Sequence, residues 1–187
     1  MTTNQHPSFE ELEKVRKEFL DLEREYWVQN DLFSFDWWFL FLLSIILWIV
    51  WWKFADKKNL TQISLYGLFV GIESVLLNVT LTNSMVWGYQ NTLFYLFSPI
   101  LVPYDLAMMP VVYMLAYQKF IKWKTFLIAN ISISVVFTFV VEPTLEWLKI
   151  YKEYNFPSIY SLLIYILIAI VSKWIVEKIV AISERFD

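Results

Sequence analysis

From Phe35 onward, apolar positions stop alternating with polar ones and gather into five blocks: 35–54, 63–82, 99–117, 125–143 and 160–180. Each block is about 19 to 21 residues long, close to the roughly 20 that cross about 30 Å of hydrocarbon at 1.5 Å per residue. In lipid every backbone N–H and C=O must find a partner within the protein. A continuous apolar run does this as a helix, whereas a barrel strand would alternate and be half as long. The pattern predicts an all-α polytopic transmembrane bundle of five helices over residues 35–187.

A different period precedes it. Phe9, Leu12, Val15, Phe19, Leu22 and Tyr26 recur every three or four residues, which marks one face of a helix. Ser8 followed by Glu11 reads as a capping box at its start. Glu10–Lys14 and Glu13–Lys17 stand in the favourable i,i+4 order. Residues 1–34 therefore read as an extramembrane amphipathic helix, and the acidic, non-basic start differs from a signal peptide. Its apolar stripe can pack on the bundle, lie at the lipid surface, self-associate or contact a protein partner. Seven acids against four bases within 9–26 weaken the lipid-surface version, because anionic lipids repel such a face.

Charge sets the orientation. Lys53, Lys57 and Lys58 follow the first block, Lys119, Lys122 and Lys124 follow the third, and Lys173, Lys178 and Arg185 lie toward the C-terminus. The connection 84–98 has no charged residue. The positive-inside rule places the lysine-rich connections and the C-terminus in the cytoplasm and the N-terminus outside. Twelve lysines against three arginines suit a low-GC bacterium, and hence a bacterial cytoplasmic membrane. The chain has no cysteine, which removes thiolate chemistry and Cys-based metal sites. Its single histidine, His6, lies in a polar leader. No cofactor, metal site or nucleic-acid contact is expected.

Composition inside the blocks is uneven. The first carries Trp37 and Trp38 at one end and Trp48, Trp51 and Trp52 at the other, as a lipid-facing anchor with aromatic belts would. In the second, Ser64, Gly67, Gly71, Ser74 and Asn78 share a narrow face suited to close helix packing. Glu73 lies about 140° from that face at 100° per residue. The third is interrupted by Pro99, Pro103 and Pro110, and Asp105 falls in the first turn of a helix restarting at Pro103, where it can cap the helix or line a cavity. The fourth ends in Glu142-Pro143, with Glu146 one turn on. In this topology Glu73, Asn83, Asp105, Glu142 and Glu146 converge on the outer half of the bundle, between the second, third and fourth spans. Carboxylates there require protonation, water or a bound cation.

The stretch Tyr104-Asp105-Leu106 through Met109-Pro110 to Tyr113-Met114-Leu115 resembles a motif of small multi-helix membrane proteins from Bacillus- and Clostridium-type bacteria. So does the run from Glu142 and Glu146 through Leu148-Lys149-Ile150-Tyr151 into Ser161-Leu162-Leu163. The resemblance covers roughly residues 60–180 and implies membrane location and topology, with no substrate. The chain departs from it in lacking a Phe before Pro110 and a Trp-containing turn near Asn155, and in adding the N-terminal helix.

No catalytic residue is assigned. Nucleophile-elbow, phosphate-loop, zinc-protease and dinucleotide motifs are all missing, and three glycines cannot build a phosphate cradle. The leading expectation is a non-catalytic membrane protein acting through a partner or a second copy by its N-terminal helix. The alternatives are binding or transport of a cation, proton or small amphiphile in the acidic cavity, and carboxylate-dependent chemistry on a lipid or isoprenoid.

Overall fold

A computed structural model describes residues 6–154 and 156–185. Helix α1 spans Phe9–Tyr26, with the Ser8 hydroxyl accepting from the Glu11 N–H and the Glu11 carboxylate accepting from the Ser8 N–H. A π-helical turn, Trp27–Asp31, leads out of it. Helix α2, Phe35–Phe54, starts at Ser34, whose hydroxyl accepts from the Trp37 N–H. Then follow α3 (Leu60–Asn83), α4 (Met109–Lys119), α5 (Trp123–Val136), α6 (Glu142–Trp147) and α7 (Ser158–Ser183). Among the described residues, four helical stretches are long and apolar enough to cross a membrane: 35–54, 57–83, 123–147 and 158–183.

The third apolar block is shorter as a helix than its composition suggests. A π-helical turn at Tyr104–Met108 runs into α4. A second such turn, Phe137–Val141, joins α5 to α6. Each is followed within two residues by proline, at Pro110 and Pro143. Proline lacks an N–H and its ring collides with the carbonyl four residues back, so a regular α-turn is unfavourable there. The chain widens instead: the Met109 N–H bonds the Tyr104 carbonyl and the Glu142 N–H the Phe137 carbonyl, both five residues back. One widened turn carries Asp105; the other delivers Glu142.

Helix α3 lies centrally, packed on α4 and on α7, with α5 also against α7. Gly67 and Gly71 allow the approach to α4. A Cβ on Gly67 would stand 2.3 Å from the Met114 sulfur, and one on Gly71 would touch the Pro110 ring at 3.4 Å. Beside this seam Tyr66 is fully buried and stacks on Tyr117, ring centroids 4.2 Å apart. Ser64, the first residue of the small-residue face, is exposed, whereas Gly67, Gly71, Ser74 and Asn78 are buried.

The two ends of the bundle differ. At one, strand β1 (Trp87–Tyr89) pairs antiparallel with β2 (Tyr151–Glu153), Gly88 opposite Lys152. This two-stranded β-ribbon marks the ribbon end. Here the Tyr26 hydroxyl donates to the Gln90 carbonyl, the Trp27 indole to the Thr92 carbonyl, and the Thr92 N–H to the Asp31 carboxylate. These bonds fix the base of α1, while no α1 residue is buried. At the lysine end, Gln118 ties α4 to the α2–α3 connection through the Asp56 N–H and the Phe54 carbonyl.

Two features correct the sequence reading. Trp37 and Trp51 are buried rather than belted against lipid: the Trp37 indole donates to the Leu93 carbonyl, and only Trp38, Trp48 and Trp52 of the set are exposed. Lys173 is also fully buried. Its ammonium pairs with Glu177 at 2.8 Å, donates to the Ile121 carbonyl, and sits within 5.3 Å of the Tyr117, Phe126 and Trp123 ring centroids. Aromatic faces and a carboxylate offset the desolvation of that charge.

Candidate functional site

The polar interior of the bundle gathers near the ribbon end. From α3, Ser74 and Asn78 project one turn apart toward the widened turn of Asp105. The Ser74 hydroxyl donates to Asp105 Oδ1 at 2.6 Å, and Asn78 Nδ2 donates to Oδ2. Both carboxylate oxygens thus have a donor from the neighbouring helix, and Asp105 is buried. The Asn78 amide oxygen in turn faces three donors, the Thr82 hydroxyl at 3.0 Å and the Trp87 indole and Tyr89 hydroxyl at 2.9 Å. Three donors exceed two carbonyl lone pairs, so they compete. Strand β1 is thereby coupled to the carboxylate through a single amide.

Glu142 enters from the other widened turn. The Tyr165 hydroxyl of α7 donates to it, and the Tyr104 hydroxyl donates to Tyr165 at 2.8 Å. Tyr104, Phe137 and Tyr165 form an aromatic cluster with centroids 5.7–6.3 Å apart, so the two widened turns meet across these rings. Asp105 and Glu142 line one cavity of about 40 Å³, together with Trp87, Tyr89, Tyr104, Tyr151, Ser161 and Tyr165. A water needs about 10–15 Å³ on the same measure, so the space suits a few heavy atoms.

Two hydroxyls around the cavity are poorly partnered among the described residues. That of Tyr151 is buried with no hydrogen-bond partner there, and that of Ser161, buried beside Glu142, makes no hydrogen bond of good geometry. A buried hydroxyl left unpaired costs about 1–3 kcal/mol. Burial, with Asp105 as the nearest charge for one and Glu142 for the other, pushes the Tyr89 and Tyr151 hydroxyls well above the ordinary phenol value. Both stay neutral. The ion pair present among the described residues, Lys173–Glu177, lies at the opposite end, and no lysine or arginine reaches either cavity carboxyl. No group of three His, Cys, Asp or Glu close enough for a metal ion occurs among the described residues.

The five acids and amides expected in the cavity do not all meet. Asp105 and Glu142 line it; Glu73, Asn83 and Glu146 do not. Glu73 is half-buried on another face of α3, beside Ser172 of α7. Asn83, at the last turn of α3, and Glu146, on the outer face of α6, are exposed. Ser74 and Asn78, expected as packing residues, instead bind Asp105. The stripe Phe9, Leu12, Val15, Phe19, Leu22 and Tyr26 is exposed throughout, from 51% at Tyr26 to 69% at Phe9.

Tyr104, Tyr165, Ser161, Tyr151, Trp87 and Tyr89 were not anticipated, yet most carried a signal. Trp87 and Tyr89 stand two apart, as residues on one face of a strand do. Ser161, Tyr165, Ala169, Ser172 and Lys173 recur at helical spacing on α7, the same kind of polar and small seam that marked α3. No family model, curated protein or solved structure matches the chain.

Proposed function

We propose that this chain is a five-span membrane protein that binds a small ammonium-type cation in the cavity between α3, the 104–108 turn, α6 and α7, reached from the β-ribbon side. The fifth span in this reading is 104–119, about 24 Å of helix. The observation that carries the proposal is the pairing of Asp105 and Glu142 in one aromatic-lined cavity with no basic side chain. An ammonium group is stabilised by ring faces and by carboxylate acceptors together, and the site offers both. Ser161 and Tyr151 add two hydroxyl oxygens that accept no hydrogen bond among the described residues. With the lysine end cytoplasmic, the β-ribbon closes the cavity on the outer side and α1 stands outside the membrane as an amphipathic helix.

Thermal unfolding of the detergent-purified protein tests this. Ammonium or methylammonium at about a hundred times its Kd should stabilise the native state by about 2.7 kcal/mol. Choline, too large for the cavity, and sodium at equal ionic strength should do less. Asp105→Asn and Glu142→Gln, which keep the side-chain shapes, should each remove the ammonium effect. An ammonium response unchanged in both variants refutes the site.

A second reading rests on α1. Its exposed apolar stripe, on a helix fixed only at its base, supports contact with a partner protein or a second copy. Removing residues 1–25 should then abolish a co-purifying partner or lower the oligomeric state while leaving cation binding intact.

A further inference from the structure

Helix α2 leans on α4 and on the 104–108 turn but stands off from α3, leaving an apolar crevice of about 550 Å³ on the flank of the bundle. Its floor is Gly67 and Gly71, and its α3 wall runs from Ser64 to Leu76. Twelve rises of helix from Ser64 to Leu76 make that wall about 18 Å long, more than half the hydrocarbon thickness. Water has almost no partners there, and folded interiors leave no void of this size unfilled. In the bilayer the available filler is hydrocarbon.

The mouth at the lysine end is chemically different from the rest. Trp48, Trp51 and Ser64 stand there. The Trp51 indole N–H is buried with no acceptor among the described residues. The hydroxyls of Ser44, Thr80, Ser132 and Thr144 bond the carbonyl four residues back, and Ser64 makes no such bond among the described residues. At the same end of the bundle, Lys53 lies in the last turn of α2 and Lys57 begins the next turn, its ammonium donating to the Trp52 carbonyl and 3.5 Å from the Trp52 ring centroid.

We infer that this crevice is a phospholipid site: one acyl chain lies along Gly67 and Gly71, and an anionic headgroup from the lysine-side leaflet rests at Lys53 and Lys57. The ester region falls at the depth of Ser64 and Trp51, where a chain carbonyl accepts from the serine hydroxyl. Lysines at the interface attract anionic lipids over zwitterionic ones. The site is separate from the acidic cavity, which lies across the α3–α4 seam.

Native mass spectrometry of the detergent-purified chain with equimolar phosphatidylglycerol and phosphatidylcholine tests it. Wild type should retain phosphatidylglycerol in preference. Leu68→Trp/Ile72→Trp, which fills the crevice from exposed α3 positions, should weaken lipid retention by at least about tenfold, a cost of 1.4 kcal/mol. Leu42→Trp, on an exposed face of α2 outside the crevice, should leave retention unchanged. Lys53→Gln/Lys57→Gln should keep the lipid and lose the preference. Should the double tryptophan variant not fold, judged by its unfolding midpoint and gel-filtration profile, Ile72→Phe alone carries the same expectation with a smaller loss. Unchanged retention in the folded crevice variants overturns the chain site, and an undiminished preference in the lysine variant overturns the headgroup contact.

Discussion

Asp105 and Glu142 are each met by a hydrogen-bond donor from a neighbouring helix, and by no basic side chain. Their company was only partly readable in the sequence. Acids inside apolar blocks stand out, but which face of a widened turn they take depends on the prolines that follow. A regular 100° step does not apply across 104–108 or 137–141, so Asp105 could be flagged without its contacts to Ser74 and Asn78. Glu73, on an undistorted helix, stands off the small-residue face as angle counting gives, but that count does not carry it into the cavity, which it does not line. Asp31 offers a test outside the membrane. Burial holds its carboxyl up at about 6, against an ordinary 3.8, despite the Thr92 N–H that pulls it down; Asp36 adds a smaller upward push. Because the folded state holds the proton more tightly than the unfolded chain, its contribution is complete below about pH 4 and lost as pH rises through about 6. The junction between α1 and the segment after β1 should therefore be less stable at pH 8 than at pH 4, by at most about 3 kcal/mol. Asp31→Asn should flatten that difference in hydrogen exchange of the Thr92 amide. An identical pH dependence in the variant would show that another group is responsible.

At the scale of elements, long helices followed from block length for four of the five blocks, while the shorter helix of the third block and the β-ribbon did not. Three-residue strands leave almost no periodic trace, and β1 pairs with a segment more than sixty positions away. The α3–α4 seam was legible in Gly67-x-x-x-Gly71, and it makes a quantitative prediction. Gly67→Ala drives a methyl into the Met114 side chain, so it should destabilise the protein by about 1–3 kcal/mol. Met114→Ala should also destabilise, by leaving a void. In the double variant the new methyl occupies that void. The double variant should lose clearly less than the sum of the singles in chemical unfolding; strict additivity would mean the two helices do not meet there.

For the whole molecule, the membrane reading came from the sequence because hydrocarbon imposes a length and composition that nothing else requires. Orientation is a further step. The chain has no cysteine, so single cysteines introduced in a functional background report sidedness without interference. Glu146→Cys, exposed at the ribbon end, should react with a membrane-impermeant maleimide in intact cells. Lys58→Cys and Lys122→Cys should react only after lysis. The inverse pattern would put the cavity on the cytoplasmic face and reverse the route of its cation.

Isothermal titration of the purified chain with methylammonium at fixed pH and ionic strength tests the central claim most directly. The account predicts saturable one-to-one binding to wild type that disappears in the folded Asp105→Asn/Glu142→Gln variant. Heat that is absent in wild type, or unchanged in that variant, would contradict it and leave the two carboxyls as hydrogen-bonded joints between helices.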